Sequence, residues 1–592
     1  MPTAAPVSEP RPRRDAVVTA ASRLLAASGL LALVGALPWL ASRDPALTVL
    51  RARYADREAT PEALAAVRAE LGLDAGPFTL LGQWVSGLLR GDLGTSWISG
   101  RPVGPGLLDN LSVSLTLVGF SLVVAFVVAA ASVAVAMRAG LRGRPSFGSG
   151  SGSVLLTALP EFLLATVLLL VGAVWLGWFP PFGWDGPGQA VLPALALGLP
   201  AGGLLGRLTA TAVTAVFTEP WVTTWRGAGF SRREVALAVL RRAVPSVLPQ
   251  LGLVVVGLTG GAVAVEEIFA IPGIGRALLG AAAAQDLPAL QAGLLLLVVV
   301  AAVAGGLASL VGRLMLGRAV RLSALSLPEP VVVLRRRDLL VPGVAGALLL
   351  VVVVSGLLGD PSTSAHPRLA PPSPGLWLGA DASGRDLLAR VGHGALTTVG
   401  TGLVVLALCL LIGLAVGCLS HAATGPIEIA NAAPPVLAGL VVAAVAGPSQ
   451  LGAAVAVTAV SWAPLAAHTS ALLREARSQP LVAVLPVLGV GPVRRLVRHT
   501  LPAVVPAVTR NAALRLPGIV LALASLGFLG LGARPPRPEW GLVLAEGSAY
   551  VERAPWTVLG PAGALVLVSV LSVGATAVLT TRRSGRATPT AA

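Results

Sequence analysis

Arg510, Asn511 and Arg515 lie inside an apolar run at 502–532, a setting in which a charge needs a reason. Counted from Pro502, the two arginines stand about 8 and 13 residues in, or about 12 and 20 Å at the helical rise. A guanidinium at that depth must face protein or water rather than lipid. Asn511 and Arg515, spaced i and i+4, share one face. One reading has Arg515, with Asn511 beside it, lining an internal pathway and gripping an anionic group such as a carboxylate through two parallel hydrogen bonds. The other has a structural arginine that bonds helix carbonyls or pairs with a buried acid. Arg207, about ten residues from the end of another apolar run, can instead reach the membrane interface by snorkelling.

Two polar segments repeat a second pattern. The first holds Arg226, Gly229, Ser231, Arg232 and Arg233; the other holds Gly489, Gly491, Arg494, Arg495, Arg498 and His499. The arginines can pair with acidic groups on another chain, or simply fix the orientation of the loops in a membrane. Gly229 and Gly489 allow a tight turn with positive φ. Asp381, Arg385 and Asp386 form a third cluster, expected to be a charge-paired turn; direct contact with a ligand or partner is the alternative. The acidic pair Glu266 and Glu267 reads as interfacial. All 43 basic residues are arginine, so a nucleotide-binding P-loop, which needs a lysine, cannot be present, and any ATP hydrolysis belongs to another chain. Cys409, Cys418 and the five dispersed histidines form no metal-ligand pattern, so neither a metal nor another directly bound cofactor is expected.

These residues must be positioned by membrane helices. The chain is 55% apolar and 12% charged with a mean hydropathy of +0.83, far from the balance of a soluble domain. Twelve apolar runs are long enough to cross a bilayer: roughly 20–41, 109–137, 153–178, 189–216, 247–271, 289–316, 339–358, 395–420, 429–447, 451–472, 502–532 and 556–580. The first could be a signal peptide, but its length favours a retained helix. Arginine is in excess in the loops 138–152, 217–246, 313–337 and 473–500, whereas 42–107, 272–288 and 533–555 balance acid and base. The positive-inside rule then puts both termini in the cytoplasm and 42–107 outside. The net charge of +16 is thus explained by topology, and nucleic acid is not an expected partner. No acidic residue stands out deep within the runs.

The chain also repeats. Pro245 and Pro249 stand to Pro502 and Pro506 as Arg241 stands to Arg498 and Gly275 to Gly532, with one offset of 257 residues throughout. Two six-helix halves of like orientation follow: residues 1–321 and 336–592, joined by a Pro-containing linker at 322–335.

Within this frame several motifs carry a resemblance. AELGLDAGP at 69–77, GDLGTSWISGRPV at 91–103, GAGFSRREV at 227–235 and EEIFAIPGIGRALL at 266–279 look like the first permease of the dipeptide, oligopeptide and nickel ABC importers. GADASGRDLLARVGHGA at 379–395 and GFLGLGARPPRPEWG at 527–541 resemble motifs of its partner permease. The resemblance implies an all-α membrane protein of about twelve transmembrane helices, two type I importer halves fused in one chain. It further implies a translocation pathway for peptides, nickel or another small hydrophilic solute, without enzymatic activity of its own. ATP would be handled by cytoplasmic ATPase subunits docking at the two Gly-containing basic loops, with an extracytoplasmic solute-binding protein on the other side. The family's coupling loop carries an EAAxxxG pattern, yet Thr223, Thr224 and Trp225 precede Gly229, and Ala483, Val484 and Leu485 precede Gly489. Pro486 falls inside the second expected coupling helix. Two alternatives follow: an ion-coupled secondary transporter, or a permease-derived protein with weakened coupling.

Overall fold

The computed structural model describes residues 12–41, 45–54, 58–143, 156, 160–316 and 340–581. The expected linker, the arginines at 318, 321 and 335–337, Arg144 and the two chain ends lie outside the described residues. The described residues form helices without a strand. The first half comprises α1 (Pro12–Gly35), the short helices α2 (Pro45–Arg53), α3 (Pro61–Glu70) and α4 (Pro77–Leu89), then α5 (Val103–Leu141), α6 (Glu161–Leu168), α7 (Pro187–Phe217), α8 (Pro220–Gly227), α9 (Arg232–Ile268), α10 (Ile274–Ala283) and α11 (Leu287–Leu316). The second comprises α12 (Leu340–Leu357), α13 (Leu387–Gly417), α14 (Thr424–Ala432), α15 (Pro435–Ala446), α16 (Gln450–Ser461), α17 (Ala463–Ser478), α18 (Pro480–Val484), α19 (Leu501–Ala513), α20 (Leu516–Phe528), α21 (Trp540–Ser548) and α22 (Trp556–Thr581).

Among the described residues, eight helices are long and apolar enough to cross a membrane, or ten when each of two bent pairs counts as one span. The other two expected runs coincide with the shorter apolar helices Glu161–Trp175 and Trp556–Leu571. Proline places both bends. α14 meets α15 at 89° across Pro434 and Pro435, and the α19–α20 span turns by 43° just before Pro517. A proline has no N–H to continue the helical ladder and clashes with the preceding turn, so a kink is the relaxed solution.

Glycine sets how closely the spans approach. Gly198, Gly202 and Gly206 of α7, one face at i, i+4 and i+8, press on α5, where an added Cβ would stand 2.6 Å from Ser121 O, 2.7 Å from Val128 Cβ and 2.8 Å from Ser132 Oγ. Such small-residue stripes let backbones pack where no hydrophobic effect separates helix from lipid. In the second half the same contact uses glycines of the other helix: Gly413 and Gly417 of α13 lie against Leu465 and Thr469 of α17. The interface is repeated, but its sequence signature has changed sides.

The halves interlock. α1 leaves its own half to pack on α14: Ser22 Oγ donates to Ala422 O at 2.6 Å and accepts from Gly425 N at 3.0 Å. Arg23 makes a forked pair with Glu428 at 2.7 and 2.6 Å. A Cβ on Gly425 would sit 2.2 Å from Ser22 O, so only glycine permits this crossing. Elsewhere along the seam Phe162 stacks on Phe528, ring centroids 5.3 Å apart, and Gln285 donates to Ala444 O at 3.1 Å. The segment expected to lie outside folds back on the start of α11, where Asp286 accepts from Trp97 N at 3.0 Å and from Ser96 Oγ.

Candidate functional site

Each half carries a short helix and a glycine turn between two spans, at the end of the molecule where the basic loops gather. In the first, Glu219 precedes α8 and accepts from Trp221 Nε1 at 2.7 Å. Gly229 turns the chain at φ +84°, and Ser231 with Glu234 forms a capping box that starts α9. Trp225 stacks on Phe230 at 4.5 Å. Arg226 is turned into the protein: its Nη2 donates to Gly140 O at 2.7 Å and its guanidinium lies 5.4 Å from the Phe217 ring centroid. Arg232 and Arg233 are exposed.

The second loop is built differently. α18 stops at Val484, so Pro486 lies beyond the helix and not within it as the sequence suggested; Val490 N bonds Leu485 O at 3.0 Å and Gly489 closes the turn at φ +75°. Gly491 precedes a first turn at Pro492–Arg494, and a π-helical stretch follows over Arg495–Thr500, containing Arg498 and His499. Leu481, Val487, Leu488 and Val493 are left 77%, 86%, 69% and 73% exposed, an apolar surface that the sequence pattern did not announce.

At the opposite end, Asp381 and Arg385 do form a charge-paired turn, but its centre is a residue of the same motif that its spacing did not single out. Arg390 of α13 is completely buried, and its Nη1 donates to Asp381 Oδ2 at 2.7 Å and Glu546 Oε2 at 2.6 Å. Arg385 reaches the same two carboxylates at 2.7 and 3.2 Å. Burial works against the Asp381 charge, yet the Arg385 backbone N–H, the Arg390 guanidinium and the Ser383 N–H together hold its carboxyl below the ordinary range. Asp386 is not part of this pairing; its carboxylate caps α13 by accepting from Leu388 N at 2.8 Å. The cluster lines a pocket of about 510 Å³ that includes Tyr550 and Thr557.

Two further carboxylates act as a matched pair across the halves. Glu266, expected at an exposed interface, is fully buried: it accepts from Ser114 Oγ at 2.5 Å and from Arg276 N at 3.0 Å, while Ser114 Oγ accepts from Ile274 N at 2.8 Å. In the second half Glu539 accepts from Thr398 Oγ1 at 3.1 Å and from Gly541 N and Leu542 N, both at 2.9 Å, while Thr398 accepts from Trp540 N at 3.1 Å. Each set ties a hydroxyl of the long helix, α5 or α13, to the start of the short helix α10 or α21. Burial pushes the Glu539 carboxyl up to about 7 against the opposing pull of those N–H groups.

Arg515 sits at the kink before Pro517, and its Nε donates to Asn511 Oδ1 at 3.3 Å, the i, i+4 pairing expected. It is half-buried. Arg510 folds back on its own helix, Nε to Pro506 O at 3.3 Å. The structure therefore keeps Arg510 and Arg515 apart in their contacts. An acidic residue does stand within one of the apolar runs, contrary to expectation: Glu161 opens α6. No group of three or more His, Cys, Asp or Glu side chains poised for a metal occurs among the described residues.

Two interlocked bundles of apolar helices, each interrupted by a short helix and glycine turn at one end, define a membrane transport permease. The chain belongs to the family of binding-protein-dependent transport system inner membrane components, whose sequence pattern matches it twice, over residues 131–322 and 406–585. It is similar to a putative peptide transport system permease protein of Brucella abortus strain 2308, 34% identical over 267 residues that make up 43% of this chain and 82% of that protein. It is also similar to the glutathione transport system permease protein GsiC of Escherichia coli K12, 32% identical over 256 residues, 43% of this chain and 81% of that one. Each relative is matched over most of its length by less than half of this chain. The resemblance carried by the motifs, and the two-half all-α fold it implied, are borne out.

Proposed function

We propose that the chain serves as both membrane-spanning halves of an ATP-driven importer of peptides or peptide-like solutes, residues 1–321 and 336–592 being the halves and 322–335 their linker. The observation that carries this reading is the family pattern occurring twice in one chain, on halves that share an interlocked seam. Peptide-like solutes are favoured because the relatives bear peptide and glutathione transport names. Separate ATPase subunits dock at the loops around 223–234 and 483–495, and an extracytoplasmic solute-binding protein delivers the solute at the opposite face. A covalent fusion fixes the ratio of the halves at one to one. The deciding experiment is purification of the tagged chain in detergent from its native membrane to ask whether ATPase chains come with it, followed by ATP-dependent peptide uptake in proteoliposomes. Failure of any ATPase chain to co-purify would remove the importer reading.

The docking surfaces can be told apart. Arg232 and Arg233 are exposed, whereas Arg226 is held by Gly140 and Phe217. Changing Arg232 and Arg233 to Glu is therefore expected to lower ATPase recovery in pull-downs by about tenfold, the effect of about 1.4 kcal/mol of lost complementarity. On the second loop the exposed leucines and valines are expected to matter more than Arg494 and Arg495. Undiminished recovery with both loops altered would refute docking at these segments.

The basic end faces the cytoplasm in this reading, with both termini on that side. Thr79→Cys, on the exposed surface of α4, should react with a membrane-impermeant thiol reagent in intact cells. Reaction only after lysis would reverse the topology.

A further inference from the structure

We propose that Glu161 binds the cationic end of the solute, the ammonium group of a peptide-like zwitterion, at the seam between the two halves; this rests on the reading of the chain as an importer of such solutes.

Glu161 follows Pro160 and begins α6, half-buried. Beyond its own backbone N–H, its carboxylate has no hydrogen-bond or ion-pair partner among the described residues. Gly261 of α9 lies beside it, where an added Cβ would stand 3.4 Å from the carboxyl carbon of Glu161 and equally far from Leu197 Cδ2. The adjacent residue on each helix touches the other half. Phe162 stacks on Phe528 at 5.3 Å, and a Cβ on Gly260 would come within 2.4 Å of Pro434. The carboxylate is thus held at the seam, with a glycine leaving room at its side.

An ionisable group within membrane helices faces the bundle interior or a hydrated path, and normally has a partner there. The buried carboxylates among the described residues obey that rule: Glu266 and Glu539 accept N–H and O–H donors, Asp286 accepts from Ser96 and Trp97, and Asp381 pairs with two arginines. Half-buried Glu161 has no such partner among the described residues, and it lies where alternating motion of two halves would open a path. A carboxylate is an acceptor only, so its complement is a cation with N–H donors. Among the described residues no group of three or more His, Cys, Asp or Glu side chains is gathered at this position, so the ligand set a metal ion needs is not assembled around the carboxylate.

The test uses the full chain with its ATPase partners in proteoliposomes and compares uptake of trialanine with that of N-acetyl-trialanine, which lacks the ammonium. Glu161→Gln is expected to lower uptake of the free peptide by about tenfold or more, the loss of a hydrogen bond to a charged group. It should leave the acetylated peptide within about twofold of its wild-type rate on the same grounds. Glu161→Asp, which keeps the charge, should recover part of the difference. Equal loss for both peptides, or no loss for either, overturns the assignment. Should Glu161→Gln fail to assemble with the ATPases, Gly261→Ala, which places a methyl against the carboxyl group, must reproduce the selective loss, and an unselective one overturns the assignment equally. Wild-type protein that assembles with its ATPases yet imports neither peptide would instead refute the peptide reading, independently of what Glu161 does.

Discussion

Replacing Arg390 with methionine is expected to destabilise the protein by about 3–5 kcal/mol, the range for removing one partner of a buried ion pair. Its side chain is 1% exposed and Nη1 alone serves both Asp381 and Glu546. Methionine would fill much of the volume but leave two carboxylates facing each other in a partly enclosed pocket, with Arg385 alone to hold them. Arg385 itself is 14% exposed and pairs with the same acids, so Arg385→Met removes the more hydrated of the two cations and should do less damage. The measurement is thermal denaturation of the purified protein in detergent, with size-exclusion profiles to detect aggregation. Arg390→Met melting with the wild type would show that the network is dispensable, and a larger effect at Arg385 would show that the centre has been misplaced. The pair Asp381→Asn with Arg390→Met should lose less than the two single effects combined, because each removes the penalty the other creates.

The second large effect is a dependence on pH. Burial raises the Glu539 carboxyl to about 7 from its ordinary value of 4.5. Below about pH 4.5 the folded and unfolded chains both hold the proton and this contribution to stability is intact. As pH rises the unfolded chain releases its proton first, so the contribution declines until the folded carboxyl also ionises near 7. The decline amounts to about 3 kcal/mol, because each pH unit between the two ionisations costs about 1.4 kcal/mol. The groups packed on this carboxyl are the Thr398 hydroxyl and the Gly541 and Leu542 N–H groups, all neutral. Melting temperature in detergent should accordingly fall between about pH 5 and 7, and Glu539→Gln should flatten that part of the slope. Parallel slopes for the two proteins would show that Glu539 does not carry the transition.

A bilayer of fixed thickness demands apolar runs of fixed length, and backbone groups in lipid must bond within their own helix, so spans are written locally and can be counted from hydropathy. The same holds for the arginine bias of the loops and for the turns at Gly229 and Gly489, whose positive φ the sequence anticipated. The motifs that linked the chain to its family are local as well. By contrast, some partners of buried charges are settled by contacts far apart in sequence, which leave no periodic trace. Arg390 lies within a family motif, but nothing nearby in the chain announces Glu546, 156 positions away, as its partner. Glu266 and Glu539 perform one task on different scaffolds, one from the end of a long helix and the other as the cap of a short helix, so the 257-residue offset that aligns the prolines does not align them. The crossing of α1 to the other half depends on Gly425 admitting Ser22, and neither residue is unusual in its own segment. Local sequence determined where the apolar helices lie and the kind of protein they build, because lipid imposes the same requirement on every span. Tertiary structure decided which polar groups distant in the chain meet inside it, because a buried charge is stabilised by whatever donor the fold brings within about 3 Å, wherever in the chain that donor lies.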